Sequence, residues 1–212
     1  MDWEKIERGG IEICLIALVV LGCLALHPPR SNEGLMDVIL TIKHYDAETK
    51  TTHTYVKTGD LLTKNFAIIL VNCFRGAEGV GTLRPTDTNG NLRYLYDDYD
   101  YYVGVFSPCA WIAIGTGTGS PSPSDYKLQN QITKKYIGSH GLSKSGTALN
   151  ITVSVTFTFD SSYSITEAGL IIECHQDTSS YPYLIARDVF PAVEVSSGDV
   201  LTVTYTFKLN QG

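Results

Sequence analysis

The residues whose type could do chemistry are four carboxylates in the second half of the chain, Asp160, Glu167, Glu173 and Asp188. Two such groups facing each other across neighbouring strands can serve as acid and base, as in glycoside hydrolysis. Nothing in their spacing fixes a separation. Glu167 falls in Ile165–Glu173, a segment that reads as a strand with one buried face, so its charge needs a partner. Arg187 or backbone donors are the expected partners. Glu167 and Arg187 are therefore predicted as a buried structural pair, not as a poised acid. Neither Gly-x-Ser-x-Gly nor His-Glu-x-x-His occurs. No catalytic residue is assigned, and the chain is expected not to be an enzyme.

Three other stretches invite ligands. Ile112 to Leu128 reads Ile-Ala-Ile-Gly-Thr-Gly-Thr-Gly-Ser-Pro-Ser-Pro-Ser-Asp-Tyr-Lys-Leu. A phosphate cradle needs a helix directly after its glycines. A Ser/Pro step follows instead, so the glycines fit a tight strand edge or bulge. Asp87-Thr-Asn89-Gly90 carries a fragment of a calcium loop but lacks the closing Glu, so a solvated loop is expected there. Tyr94, Tyr96, Tyr99, Tyr101 and Tyr102 interleave with Asp97, Asp98 and Asp100. Such a stretch can stack on sugar or on bases, but its acids would repel phosphate. A contact surface between subunits or on a sheet is the favoured reading. Five cysteines form no CxxC and no cluster with histidine, so neither zinc nor any other metal or cofactor is expected. Cys73, Cys109 and Cys174 read as small buried thiols in preference to a disulfide.

The elements that must position these residues are mostly strands. The chain has 212 residues and a formal charge of −6, which suits one domain with an appendage and gives no broad grip on nucleic acid. Its Thr, Ser, Gly and Tyr content favours β structure and an extracellular or virion surface. Asp37–Tyr45 and Thr51–Lys57 read as a hairpin around a polar turn, and Leu61–Phe74 as an amphipathic helix capped by Thr58 or Asp60. Ser124-Asp125 is expected to cap a short helical turn through Gln131. Thr133–Ile137 reads as a strand and Gly138–Gly146 as a loop. Leu149, Ile151, Val153, Val155, Phe157 and Phe159 alternate with polar residues, the mark of a long strand with one wet face. Tyr183–Arg187 and Val189–Val195 read as two strands, with Pro191 at an edge or bulge. Leu201 to Leu209 closes the chain with another alternation. The whole predicts a mainly β protein, an antiparallel β-sandwich of jelly-roll type, over residues 31–212 with a sub-boundary near residue 107.

Residues 1–30 stand apart. Ile13–Leu26 carries no charge and ends at His27-Pro28-Pro29-Arg30. A cleaved signal and a retained helix both fit its length. A retained N-terminal hydrophobic helix, crossing about 25 Å from Gly10 to Leu26 and embedding the N-terminus in a membrane, is favoured. Arg8-Gly9-Gly10-Ile11-Glu12 ahead of the run resembles archaeal pilin precursors, although the two prolines end the helix early for that family.

Several segments together resemble structural proteins of tailed phages and related archaeal viruses. They are Ile112–Leu128 with its Gly-Thr-Gly and Asp-x-x-Leu, Glu167-Ala-Gly-Leu170, Leu184-Ile-Ala-Arg187 with Val189-Phe190, and Gly198-Asp199 with the strand after it. Gly59-Asp60-Leu-Leu-Thr-Lys-Asn65-Phe66 is similar to archaeal proteins of that sort. The resemblance implies a virion structural protein, a capsid, turret or tail-surface β-domain that associates with itself and with other virion proteins. It carries no catalytic residue, and an N-terminal apolar helix departs from most tail proteins. An archaeal cell-surface filament subunit is the alternative, and a carbohydrate-binding module using Tyr94–Tyr102 is the second.

Overall fold

The computed structural model describes residues 36–58, 61–75, 84–93, 110–146, 148–176 and 179–210. The expected N-terminal helix, the boundary at residue 30, the sub-boundary near 107 and all five tyrosines from Tyr94 to Tyr102 lie outside them. Among the described residues no helix is long and apolar enough to cross a membrane.

Among the described residues ten strands and one helix follow in order: β1 Met36–Asp46, β2 Thr51–Thr58, β3 Leu61–Leu62, α1 Lys64–Arg75, β4 Ala110–Gly115, β5 Gln131–Tyr136, β6 Ser139–Ser145, β7 Ala148–Thr158, β8 Tyr163–Gln176, β9 Ser179–Val195 and β10 Val200–Asn210. They form two antiparallel sheets, β2-β1-β10-β7-β6 and β3-β9-β8-β4-β5, packed as a sandwich. Pairs β1–β2, β4–β5, β6–β7 and β8–β9 are each neighbours within one sheet.

Alternation sets the register of the first sheet. Ile42 lies opposite Val203, and Val203 opposite Val155, so the apolar faces of β1, β10 and β7 coincide. A slip of one residue would turn every one of these side chains to water. Leu40, Val203 and Tyr205 are fully buried, while Thr152, Ser154 and Thr204 remain half-exposed on the other face. The second sheet contributes Ile112, Ile114, Leu170, Ile172 and Ile185 to the same core. Its outer face also holds a small apolar cluster, Trp111, Ala113, Leu128, Ile171 and Leu184.

The helix starts later than expected. Leu61 and Leu62 pair with Arg187 and Ala186 of β9, so the backbone is extended there. Thr58 belongs to β2, opposite Ile39, and so is not the cap. The N–H of Thr63 donates to Ile185 O (3.0 Å) and that of Lys64 to Pro123 O (2.7 Å). Neighbouring strand and loop thus satisfy groups that a cap would otherwise serve. Ile68 and Ile69 enter the core, and Phe66 stacks on Phe207 at 6.4 Å.

Three further expectations change. The Gly138–Gly146 stretch is strand β6, paired with β7 from Ser139–Ser154 to Ser145–Ala148. Its described side chains are exposed, so no hydrophobic alternation marks it. No helix follows Ser124-Asp125; residues 116–130 are irregular and Gln131 already belongs to β5. Finally, β9 is one strand of 17 residues. Pro191 falls in a register shift, where Ile165 pairs with Val193 and Glu167 with Val189. A residue without an N–H is tolerated at such a bulge.

Candidate functional site

The outer face of the second sheet is closed by residues 115–130, folded back over β8 and β9. Glu167 lies beneath them, completely buried. Gly117 N (3.0 Å) and Asn130 N (2.7 Å) donate to its Oε1. Gln129 N (3.0 Å) and Arg187 Nε (3.0 Å) donate to its Oε2. Arg187 Nη2 is 2.9 Å from the same oxygen but is not aligned to donate to it, so Nε carries the bond. Arg187 Nη1 donates to Asp125 Oδ2 (2.9 Å), which also accepts from Ser122 N (2.9 Å). Four donors on two oxygens fill the acceptor capacity of a carboxylate. The expected Glu167–Arg187 pair is thus present, and backbone donors and Asp125 join it.

Close approach explains the glycines. A Cβ on Gly117 would stand 2.5 Å from Glu167 Oε1, and one on Gly115 would stand 2.6 Å from it. Gly115 ends β4 at a register shift, as a strand edge or bulge would. The hydroxyl of Thr166 donates to Gly117 O (2.9 Å), and Asn130 Nδ2 donates to the Thr116 hydroxyl. Leu128 then drops onto Gly169, where any Cβ would overlap Leu128 Cδ1 and lie 2.7 Å from Leu184 Cδ1.

The segments singled out in the sequence therefore meet in one place. Gly-Thr-Gly supplies a donor to Glu167, Asp125 binds Arg187, Leu128 fills the hollow over Gly169, and Leu184 lies beside it. The upstream segment docks on the same strand. Thr63 Oγ1 donates to Leu184 O (2.6 Å), as does Asn65 Nδ2 (3.2 Å). Gly198-Asp199 serves a separate turn. Asp199 accepts from Ala47 N (2.8 Å), Ser196 N (2.9 Å) and His44 Nε2 (3.0 Å). These N–H groups, Ala47 first, hold its carboxyl down to about 2.

The other candidates resolve separately. Asp87 is buried inside its own turn, where Oδ1 accepts from Asn89 N and Asn91 N and Oδ2 from Arg93 Nε (2.8 Å). Burial pushes its carboxyl up, but Asn91 N–H and Arg93 outweigh it and the net direction is down. The loop is an Arg-paired turn whose acceptors are spent on its own chain. Asp188 faces the sandwich interior, opposite Ala168, so it shares no site with the outward Glu167. Glu173 is half-buried and Asp160 exposed. Cys174 is buried. Among the described residues no group of His, Cys, Asp and Glu could hold a metal.

Sequence reasoning missed Asp125 as the third charged member, Leu128 with Gly169, and the Lys57–Asp188 pair. The spacing Gly115-x-Gly117 before an Asp-x-x-Leu was the available signal, since paired glycines off a buried strand mark a close approach. No known protein family, no curated protein and no solved structure matches the chain.

Proposed function

We propose that this chain is a virion structural protein, a self-associating β-sandwich subunit of an archaeal virus or phage particle. The observation that carries the reading is the ordered motif set of the virion resemblance. Its members Gly115–Leu128, Glu167 and Arg187 meet at one buried clamp, and Thr63 and Asn65 dock beside it on Leu184 O. A group saturated by four donors stabilises a shell; it does not turn over substrate. The half-exposed Thr and Ser on the first sheet suit display and subunit contact. The reading needs the two-sheet sandwich. In a jelly roll most sequential strands alternate between sheets, and the four within-sheet pairs favour a plainer winding. The site of action is the particle, with residues 13–26 as its membrane-facing part.

Peptide mass spectrometry of purified particles from the source culture tests this. The chain should co-purify with a nuclease-protected genome, and a capsid, portal or packaging ATPase should be encoded next to it. Recovery only in filaments without nucleic acid overturns the proposal. That outcome selects the cell-surface filament subunit, which Arg8-Gly9-Gly10 ahead of the apolar run favours.

A further inference from the structure

Four carboxylates are buried among the described residues, Asp87, Glu167, Asp188 and Asp199. Three accept hydrogen bonds on both oxygens, which leaves neither oxygen bare. Asp188 differs. Its Oδ1 meets Lys57 Nζ at 3.0 Å, and its Oδ2 has no hydrogen-bond partner. Lys57 belongs to β2 at the edge of the first sheet, and Asp188 to β9 in the second. The pair therefore spans the interior of the sandwich. In register Lys57 lies opposite Leu40 and Asp188 opposite Ala168, both core residues. Lys57 Nζ also reaches Val189 O at 3.4 Å.

A buried carboxylate with one bare oxygen gains little from an ion pair. Moving one proton from Nζ to the carboxylate leaves an amine against a carboxylic acid, with no charge to desolvate. The fold holds the two groups together, so their encounter costs no further entropy. We propose that Lys57 and Asp188 are joined by an isopeptide bond that staples the two sheets. Nζ attacks Cγ of the acid, a C–N bond forms and the C–OH bond breaks. The hydroxyl leaves with a proton from the nitrogen as one water. No oxidant, reductant or cofactor takes part. The bond ties β2, paired only with β1 among the described strands, to the opposite sheet.

Tryptic mapping of the folded full chain decides the matter. An unlinked chain releases 51–57 and 188–208 as separate peptides, because Lys50, Lys57, Arg187 and Lys208 are cleavage points. A linked chain resists cleavage at Lys57. It gives 51–64 joined to 188–208, lighter by one water than the sum of the two. The joined peptide is expected from the wild type and not from Asp188→Ala. Free 51–57 and 188–208 alone from the wild type, or a link at other residues, overturns the proposal. The wild-type digest decides by itself, even where Asp188→Ala fails to fold.

Discussion

The two sheets of the sandwich solve burial in opposite ways. In the first, β10 alternates buried and half-exposed residues from Val200 to Asn210, and β7 does nearly the same. One face is core and the other is wet. In the second, β4 is buried at all six positions and β9 is buried from Tyr183 through Asp188. A sheet buried on both faces needs a cover. Here the cover is a loop instead of a helix. A loop laid over a sheet brings backbone N–H groups that need acceptors in a dry place. Glu167 supplies both acceptor oxygens, Arg187 balances its charge, and Asp125 accepts from the other end of the guanidinium. The difference teaches that Glu167 and Arg187 of the second sheet serve its cover, while the first sheet needs none.

The sharpest way to break that contrast is to remove the acceptor. Glu167→Ala leaves Arg187 buried beside Asp125 alone and orphans the N–H groups of Gly117, Gln129 and Asn130. Breaking a buried pair from one side costs on the order of 3–5 kcal/mol. Urea denaturation should show a loss of that size, and Glu167→Gln combined with Arg187→Met should recover part of it. Unchanged melting in both variants would remove the clamp from the account of stability.

How much of this was legible follows from the same contrast. Val153 and Val203 announced the first sheet because one face is wet, and alternation is what a wet face writes into sequence. β6 was silent, since its described side chains are exposed and leave no apolar alternation. In β9, Arg187-Asp188 looked like a break between strands, yet both are buried on opposite faces. The pairing of Glu167 with Arg187 was readable because a charge in an apolar strand demands a partner. The three backbone donors were not, because an N–H has no side-chain signature. The Thr58 cap failed because strand pairing of Leu61 and Leu62 overrode the local signal, and Asp60 lies outside the described residues.

Next in size is the apolar contact of the cover. Leu128→Ala opens a hollow over Gly169 and should cost roughly 2–4 kcal/mol by urea titration. Gly117→Ala presses a methyl onto Glu167 Oε1 and should cost about 1–3 kcal/mol, as overpacking does. Both variants should raise hydrogen exchange first in residues 116–130. Exchange rising first in β7 or β10 would mean that the loop does not cover the second sheet independently of the first.

Acid probes the turn held by Asp199, outside the cover. Its folded value of about 2 lies below the unfolded value of about 3.9. Its stabilisation is therefore complete above about pH 4 and is lost as pH falls through 2. The stability gap between wild type and Asp199→Ala should be constant from pH 7 to 5 and should close progressively below 4. A gap that persists unchanged at pH 2 would show that the carboxylate's charge is not what joins Ala47, Ser196 and His44.

The smallest effect is the control that the comparison requires, the same substitution on each sheet. Thr166→Val removes the donor to Gly117 O under the cover and should cost about 1–3 kcal/mol, because a buried acceptor is left alone. Thr156→Val removes a hydroxyl whose partner is Thr202 Oγ1 at 3.0 Å on the exposed face of the first sheet. Water can replace it there, and valine keeps the β-branch, so the change should stay within about 0.5 kcal/mol. Equal losses at the two sites, measured by urea midpoints under one condition, would erase the distinction between a covered and an open sheet. A loss confined to Thr166 would locate the dry side of the molecule at the loop from Gly115 to Asn130.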